Sequence, residues 1–100
     1  MAIIRIFKVQ IHPELRDQFE SDFLGKSLPY VEQQKGLLSQ TVGFPDDTNP
    51  NEYLLATEWE SVAVLQQFAG NDWQYAVIPK GMEKYVARCS VEHYRKFDVS

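Results

Sequence analysis

Residues 59–70 read WESVAVLQQFAG, and this stretch places the end of a strand directly before a helix. Trp59 closes a run of alternating residues, which is typical of a strand. Ser61 has a side chain that commonly caps a helix N-terminus, and Gly70 is the residue type that most often follows a helix C-terminus. The stretch therefore predicts a helix that begins at Ser61 and stops at Gly70. Its buried stripe consists of Val62, Leu65 and Phe68.

A hairpin is predicted immediately upstream of this block. Residues 37–44 and 52–59 have strand character, and residues 45–51 between them are rich in Pro, Asp and Asn, which favour turns. We expect the tip of this hairpin to be long and mobile. Its second strand has two apolar faces, with Tyr53, Leu55 and Trp59 on one and Leu54 and Ala56 on the other.

Residues 2–11 also alternate with a period of two. Ile3, Phe7 and Val9 fall on one face, and Ile4 and Ile6 fall on the other. A strand that is apolar on both faces is expected to be covered on both sides. Arg5 and Lys8 interrupt the run before the apolar core of a signal peptide could develop, so we interpret it as a strand.

The first helix is predicted to begin at Pro13, because proline suits the first helical turn. Gly25 and Pro29 are expected to interrupt it, with Ser27 capping a short second segment that stops at Gly36. A kinked or two-piece helix follows from this pattern. The apolar positions that recur every fourth residue are Leu15, Phe19 and Phe23.

Two further elements complete the prediction. Asn71 and Gln74 resemble a capping box, so a short helix is expected to run from there until Pro79. Residues 85–97 are expected to form the last strand.

The order strand, helix, strand, strand, helix, strand predicts an α+β fold of the ferredoxin-like type, a single domain over residues 1–100. In this arrangement two helices cover one face of a four-stranded antiparallel sheet and leave the other face bare. The apolar residues on both faces of the first and third strands would then be exposed unless a second copy covered them. We therefore predict an obligate homodimer formed through the open sheet face.

Composition excludes several classes of function. The formal net charge is −4 and the ten Lys and Arg are scattered, so nucleic acid and anionic membrane surfaces are not expected partners. No run reaches the roughly 18 apolar residues of a membrane span. Cys89 is the only cysteine, which precludes an internal disulfide and favours a cytoplasmic location.

The chain resembles the antibiotic biosynthesis monooxygenase superfamily along nearly its whole length. The resemblance is carried by the start at Arg5-Ile6-Phe7, the block 59–70, Asp72 and the stretch 91–94, Val-Glu-His-Tyr. Lys35 departs from it, because members often have proline before the glycine at this point. The resemblance implies a dimeric α+β barrel that reacts molecular oxygen with an electron-rich aromatic substrate, such as a quinol or anthrone, without a metal, flavin or other cofactor.

His93 is the first candidate for catalysis. It shares a face of the last strand with Cys89, Val91 and Arg95, whereas the alternate positions are mostly polar, so we expect His93 to point inward. A histidine base near neutral pH could remove a phenolic or enolic proton. The resemblance implies that the resulting anion is what donates an electron to oxygen. The alternative is a structural histidine, hydrogen-bonded in the core or in a dimer contact.

Arg5 and Arg95 are the other two candidate catalytic residues. Arg5 lies among apolar neighbours, so it either pairs with a carboxylate or holds a substrate anion, and the ion pair is the more common arrangement. The same two interpretations apply to Arg95, which lies on the His93 face near the end of the strand.

Aromatic residues could wall a flat pocket for a small aromatic ligand, although in a small domain they are more often plain core. The candidates are Phe7, Tyr53, Trp59, Phe68, Trp73 and Tyr94.

A metal site is not predicted, because His12, His93 and Cys89 show no paired ligand spacing. The haem-degrading branch of the superfamily uses a histidine after the tryptophan block, and residues 71–78 contain none. Two hypotheses remain: a cofactor-independent monooxygenase, or a non-catalytic protein that binds a small molecule or dimerises on the same scaffold.

Overall fold

A computed structural model describes residues 1–99. Four strands form one antiparallel sheet in the spatial order β2-β3-β1-β4, with helices before β2 and after β3. This is the ferredoxin-like α+β fold that the order of elements predicts. The strands are β1 (Ile3–Ile11), β2 (Leu37–Gly43), β3 (Glu52–Trp59) and β4 (Val86–Arg95), and the α-helices are α1 (Arg16–Asp22), α2 (Leu28–Glu32) and α3 (Val62–Ala69).

Strand β1 is interior and pairs with β3 on one side and β4 on the other. Arg5 stands opposite Thr57 of β3 and also opposite His93 of β4, and Gln40 of β2 stands opposite Thr57. Side chains that are directly opposite each other in antiparallel strands point to the same face. Gln40, Thr57, Arg5 and His93 therefore form one polar row across the sheet.

The core lies between this face and the helices, and it has the predicted components. In α3, Leu65 is fully buried, and Val62 and Phe68 pack against the core. The predicted helix ends are confirmed, since the Ser61 hydroxyl accepts from the Val64 N–H at 3.3 Å and Gly70 adopts a φ of 83°. The core residues contributed by β1 and the first helices are Ile3, Val9, Ile11, Phe19, Phe23 and Val31.

The β2–β3 hairpin is confirmed to within one residue. Its tip is built around the Asp46 carboxylate, which accepts from the backbone N–H groups of Thr48 at 2.8 Å and Asn49 at 3.2 Å. The bounds of β3 are those predicted, whereas the mobility of the tip stays a prediction.

The first helix has two α-helical pieces, as predicted, but the expected break between them is wrong. The chain stays helical from Pro13 to Glu32, because a π-helical turn at Phe23–Ser27 joins α1 to α2. The Leu28 N–H bonds the Phe23 carbonyl, five residues back, rather than a carbonyl four residues back. This wider turn accommodates Pro29, which has no N–H and would crowd an ordinary turn. Ser27 is itself helical and makes no capping hydrogen bond, so its predicted cap is also wrong.

The predicted helix over residues 71–79 is wrong as well. Residues 71–82 contain turns but no α-helix, and a short 3₁₀ turn at Glu83–Tyr85 precedes β4. Two carbonyls of this segment, those of Trp73 and Tyr75, accept hydrogen bonds from Arg5. A helix over these residues would need the Trp73 carbonyl for the Val77 N–H, so the contact of that carbonyl with Arg5 opposes the helix.

The other face of the sheet presents the second apolar set of β1 and β3. Ile4, Ile6, Leu54 and Ala56 lie on it and are half-buried, and ion pairs join Lys8 to Glu92 at 3.8 Å and Lys96 to Glu58 at 3.0 Å. The homodimer expected through this face stays a prediction. Within residues 1–99, no helix has the length and apolar character needed to cross a membrane.

Candidate active site

Arg5 is the most unusual member of the polar row, because it is a buried cation without a carboxylate. Only 4% of its surface is exposed. Its Nη1 donates to the Trp73 carbonyl at 2.6 Å and to His93 Nε2 at 2.8 Å, and its Nη2 donates to the Tyr75 carbonyl at 3.1 Å. The ion pairs of residues 1–99 do not include Arg5. The common interpretation of Arg5, a salt bridge, is therefore wrong for this chain.

Burial lowers the pKa of Arg5 to about 10. The guanidinium thus keeps its charge at neutral pH, and among residues 1–99 its hydrogen-bond partners are neutral carbonyl and imidazole groups. Bringing an uncompensated charge into the interior is costly. A site that accepts this cost is suited to a ligand that carries the missing negative charge.

His93 points to the helix-covered face, as predicted. A guanidinium can only donate, so Nε2 of His93 must accept and its proton must lie on Nδ1. Burial, and then the charge of Arg5, lower the pKa of His93 below its ordinary value of 6.5. The Trp73 ring packs edge-on against the imidazole, with 4.9 Å between the ring centroids. His93 is therefore neutral, and the lone pair on its Nε2 accepts the hydrogen bond from Arg5.

A cavity of about 70 Å³ lies next to Arg5, between the sheet and the helices. Arg5 is the only ionic side chain among the described residues that line it, and Thr57 and Ser27 are its small hydroxyl residues. The wall also includes the π-helical turn through Phe23, and such turns are frequent at functional sites. The remaining lining residues are Phe7, Val9, Phe19, Tyr30, Val31, Leu55, Trp59, Phe68, Val77, Ile78, Pro79, Met82 and Val86.

A larger outer pocket of about 550 Å³ adjoins this cavity. The two spaces are neighbours, since both are lined by Ser27, Tyr30, Val77, Pro79 and Met82, but Arg5 lines the inner cavity alone. The inner cavity is too small for a whole aromatic ring system. The ring of a ligand would therefore lie in the outer pocket, which falls within the roughly 300–1,000 Å³ of typical ligand sites, and only its oxygen would enter the inner cavity. The ionic residues of the outer pocket are Asp22, Lys26, Lys80 and Lys84.

Comparison with protein families identifies the relationship of the chain. The model of the antibiotic biosynthesis monooxygenase family matches residues 2–97. The chain belongs to this family. Comparison with curated proteins gives no match.

Solved structures with the same fold extend this comparison. A conserved protein of Methanosarcina mazei Go1 is 20% identical, with a TM-score of 0.76 over 97% of this chain and 94% of that one. Rv0793 of Mycobacterium tuberculosis is 13% identical, with a TM-score of 0.75 over 100% and 99%. SnoaB, a cofactor-independent oxygenase of Streptomyces nogalater, is 14% identical, with a TM-score of 0.74 over 98% and 95%. At these identities the likeness establishes the fold alone.

Three of the six aromatic residues expected to wall a pocket in this antibiotic biosynthesis monooxygenase family member line the inner cavity, and three do not. Phe7, Trp59 and Phe68 line the inner cavity, and Trp59 stacks on Phe68 with 5.0 Å between ring centroids. Tyr53 is fully buried outside the cavity lining, and its hydroxyl bonds the Glu20 carboxylate, so it belongs to the core. Trp73 covers the Arg5–His93 contact rather than the cavity.

Two further predicted site residues, Tyr94 and Arg95, lie away from both the cavity and the Arg5–His93 contact. Tyr94 is 54% exposed on the opposite face of the sheet, where its hydroxyl bonds Glu92 at 3.1 Å. Arg95 is exposed near the end of β4 and does not line either pocket. The structure thus brings Arg5 and His93 together and leaves Tyr94 and Arg95 outside the family member's candidate site.

Thr57 is the residue that sequence reasoning missed. It lies on the inward face of β3 between Leu55 and Trp59, and it lines the cavity beside Arg5. A signal was present, because Thr57 is the one small polar residue in the inward register of a strand whose other inward residues are Tyr53, Leu55 and Trp59.

Proposed function

We propose that the protein is a cofactor-independent monooxygenase that acts with molecular oxygen on a planar phenolic or enolic substrate of the quinol or anthrone class. The observation that carries this proposal is Arg5, a buried cation without a carboxylate at the wall of an apolar cavity. The family and the oxygenase SnoaB among its structural neighbours support the reaction type.

The role of Arg5 follows from electrostatics. A cation within hydrogen-bond distance favours the ionised form of a bound phenol or enol and lowers its pKa. The proton passes to solvent on binding, and the substrate stays as the anion. The low polarity of the cavity strengthens this attraction, so Arg5 acts without needing a strong base beside it.

The anion is the species that can transfer an electron to oxygen. With an anthrone-like substrate, one atom of O₂ becomes a carbonyl oxygen on the reacting CH₂ carbon. The other atom leaves as water with the two hydrogens of that carbon. Atoms and electrons balance, so no external reductant is required.

His93 is assigned a positioning role in this proposal. Its Nε2 accepts from Arg5 at 2.8 Å, and the ring does not line the cavity. His93 therefore fixes the guanidinium from behind, while Trp73 and Tyr75 fix it through their carbonyls. The earlier expectation that His93 removes the substrate proton stays a prediction, and the contact with Arg5 favours the positioning role.

Homodimer formation through the open sheet face is part of the proposal. The apolar residues of that face belong to the same strands, β1 and β3, that carry Arg5 and Thr57 on the other face. Covering Ile4, Ile6 and Leu54 would remove apolar surface from water at roughly 25 cal/mol per Å². A dimer would also hold β1 rigid beneath the cavity.

The test of the oxygenase is oxygen uptake by purified protein against a panel of anthrones, quinols and catechols. Arg5→Met should abolish uptake that the wild type shows, because methionine preserves much of the volume and removes the charge. Arg16→Met is the matched control, since Arg16 is on α1 and pairs with Glu20 at 3.1 Å outside the cavity lining. Uptake that survives in Arg5→Met would overturn the role of Arg5.

The competing function is a non-catalytic small-molecule binder on the same scaffold. It is favoured by the lining of the inner cavity, in which the described residues include no carboxylate or histidine that could act as a base. Binding of the same compounds without any oxygen uptake would select it over the monooxygenase.

A further inference from the structure

Thr57 places a hydroxyl group beside the buried cation. The residue is 3% exposed and lines the same cavity as Arg5. The two stand directly opposite each other on β3 and β1. Cβ atoms in such pairs are roughly 5 Å apart, so both side chains can reach one ligand atom.

Trp59 restricts what the Thr57 hydroxyl can do. The indole Nε1–H donates to Thr57 Oγ1 at 2.9 Å, and an indole nitrogen can only donate. The Thr57 oxygen therefore accepts the bond from Trp59, and the Thr57 O–H remains available to donate to another partner. In residues 1–99 that O–H has no acceptor, although Gln40, its neighbour on β2, has a buried Oε1 that is itself without a partner.

Arg5 also has donors left over. A guanidinium carries five N–H groups, and three are used by Trp73, Tyr75 and His93. The described part of the chain offers no acceptor for the other two. The cavity wall at Arg5 and Thr57 thus carries N–H and O–H donors that have no acceptor within the described residues. A ligand with an acceptor oxygen would satisfy them.

We propose that the Thr57 hydroxyl is a second donor to the substrate oxyanion, beside Arg5, and that Trp59 is the positioning residue that directs it. The inference rests on the proposed function, because it concerns the anion bound at the same site. It adds a requirement to that substrate class: the ionised oxygen must accept from two donors at once, as the oxygen of a phenolate or enolate can. An ether oxygen at the same place carries no charge, so an ether should bind more weakly than the phenolate.

The proposal is tested by equilibrium binding of 4-nitrophenol, whose absorbance reports the phenolate, and of 4-nitroanisole, its O-methyl ether. Wild type should bind the phenol as phenolate and lower its pKa, and should bind the ether weakly. Thr57→Val, which matches threonine in shape, should weaken phenolate binding about 10-fold, the effect of roughly 1.4 kcal/mol for a lost charged hydrogen bond. Ether binding should not change. Thr57→Ser should restore phenolate binding.

Variants of Trp59 and Gln40 complete the test. Trp59→Phe should reduce the preference for phenolate over ether, because the hydroxyl loses the N–H that directs it. Gln40→Met should leave the preference unchanged, since the proposal gives Gln40 no contact with the anion. A stronger preference in Gln40→Met would mean that the Thr57 O–H is engaged by Gln40 in the wild type, and would overturn the inference.

Other outcomes are equally decisive. Equal binding of phenolate by wild type and Thr57→Val, or equal weakening of phenolate and ether, would make Thr57 a packing residue and overturn the proposal. Binding can be measured without turnover. The expected binding pattern in the absence of oxygen uptake would therefore support the donor role of Thr57 and refute the proposed monooxygenase activity. Absence of phenolate binding in wild type would overturn both.

Discussion

Arg5 Nη1 and His93 Nε2 lie 2.8 Å apart, at a point where a buried arginine would ordinarily meet a carboxylate. The imidazole fixes the guanidinium without neutralising it. The register of the sheet produces this contact, because β1 and β4 pair Arg5 with His93 directly. The pair therefore supplies a preorganised positive charge, which the proposed substrate anion would balance.

Arg5→Met should show that the charge serves function rather than stability. Arg5→Met removes the desolvation cost of the buried charge, but it also leaves the Trp73 and Tyr75 carbonyls and His93 Nε2 without their donor, and an unpaired buried group costs about 1–3 kcal/mol. We expect these effects to offset each other, so that the free energy of unfolding, measured by urea denaturation, changes by less than about 3 kcal/mol while phenolate binding is lost. A loss of stability above about 3 kcal/mol would instead assign Arg5 a structural role.

The stability of the fold should depend on the protonation of His93. Its pKa is lowered from 6.5 in the fold, first by burial and then by Arg5, so the unfolded chain binds the proton more tightly. Stability is therefore greatest above pH 6.5, falls as the pH drops below that value, and levels off below the folded-state pKa. The measurement is urea denaturation at a series of pH values from about 7.5 to 5.

Two variants isolate this effect. His93→Gln should flatten the pH dependence, because glutamine can still accept from Arg5 but does not titrate. His12→Gln is the matched control, since His12 is exposed and is the other of the two histidines. The lowered pKa values of Glu20 and Asp22 act at more acidic pH and fall outside this window. An unchanged slope in His93→Gln would refute the assignment.

The fold could be predicted because its determinants are local. Alternation defined the four strands, and the Ser61 cap and Gly70 defined α3. The same local logic failed at Pro29, which predicts a break when considered alone but is accommodated by a π-helical turn.

The site could be predicted only in part, because it depends on contacts distant in sequence. Arg5 and His93 were recognisable as inward polar residues, but their hydrogen bond spans 88 positions and follows from strand register. The helix predicted over residues 71–79 failed for the same reason. Its carbonyls are engaged by Arg5, about 70 residues earlier in the chain.

Two glycines should respond to alanine in opposite directions. Gly36 has a φ of +85°, and an added Cβ would lie 2.7 Å from the Cβ of Val64. We expect Gly36→Ala to lower the free energy of unfolding by about 1–3 kcal/mol. Gly25 lies in the helical run with nothing within 4 Å of an added Cβ, so Gly25→Ala should be stabilising by about 0.4–1 kcal/mol. Thermal and urea unfolding of both variants check the sign, and a destabilised Gly25→Ala would contradict the helical account of that turn.

Ile6→Asp should separate the proposed homodimer into monomers. Ile6 is half-buried on the open face of β1, next to Glu92 of β4. An aspartate there would bring two like charges into a contact between copies and bury an unpaired carboxylate, which costs several kcal/mol. Light scattering coupled to size-exclusion chromatography should show a dimer for wild type and a monomer for the variant. Leu24→Asp is the control, because Leu24 is 48% exposed in the helical run and should leave the assembly intact. A wild type that elutes as a monomer at all concentrations would refute the dimer, and the oxygenase would then have to act as a single chain.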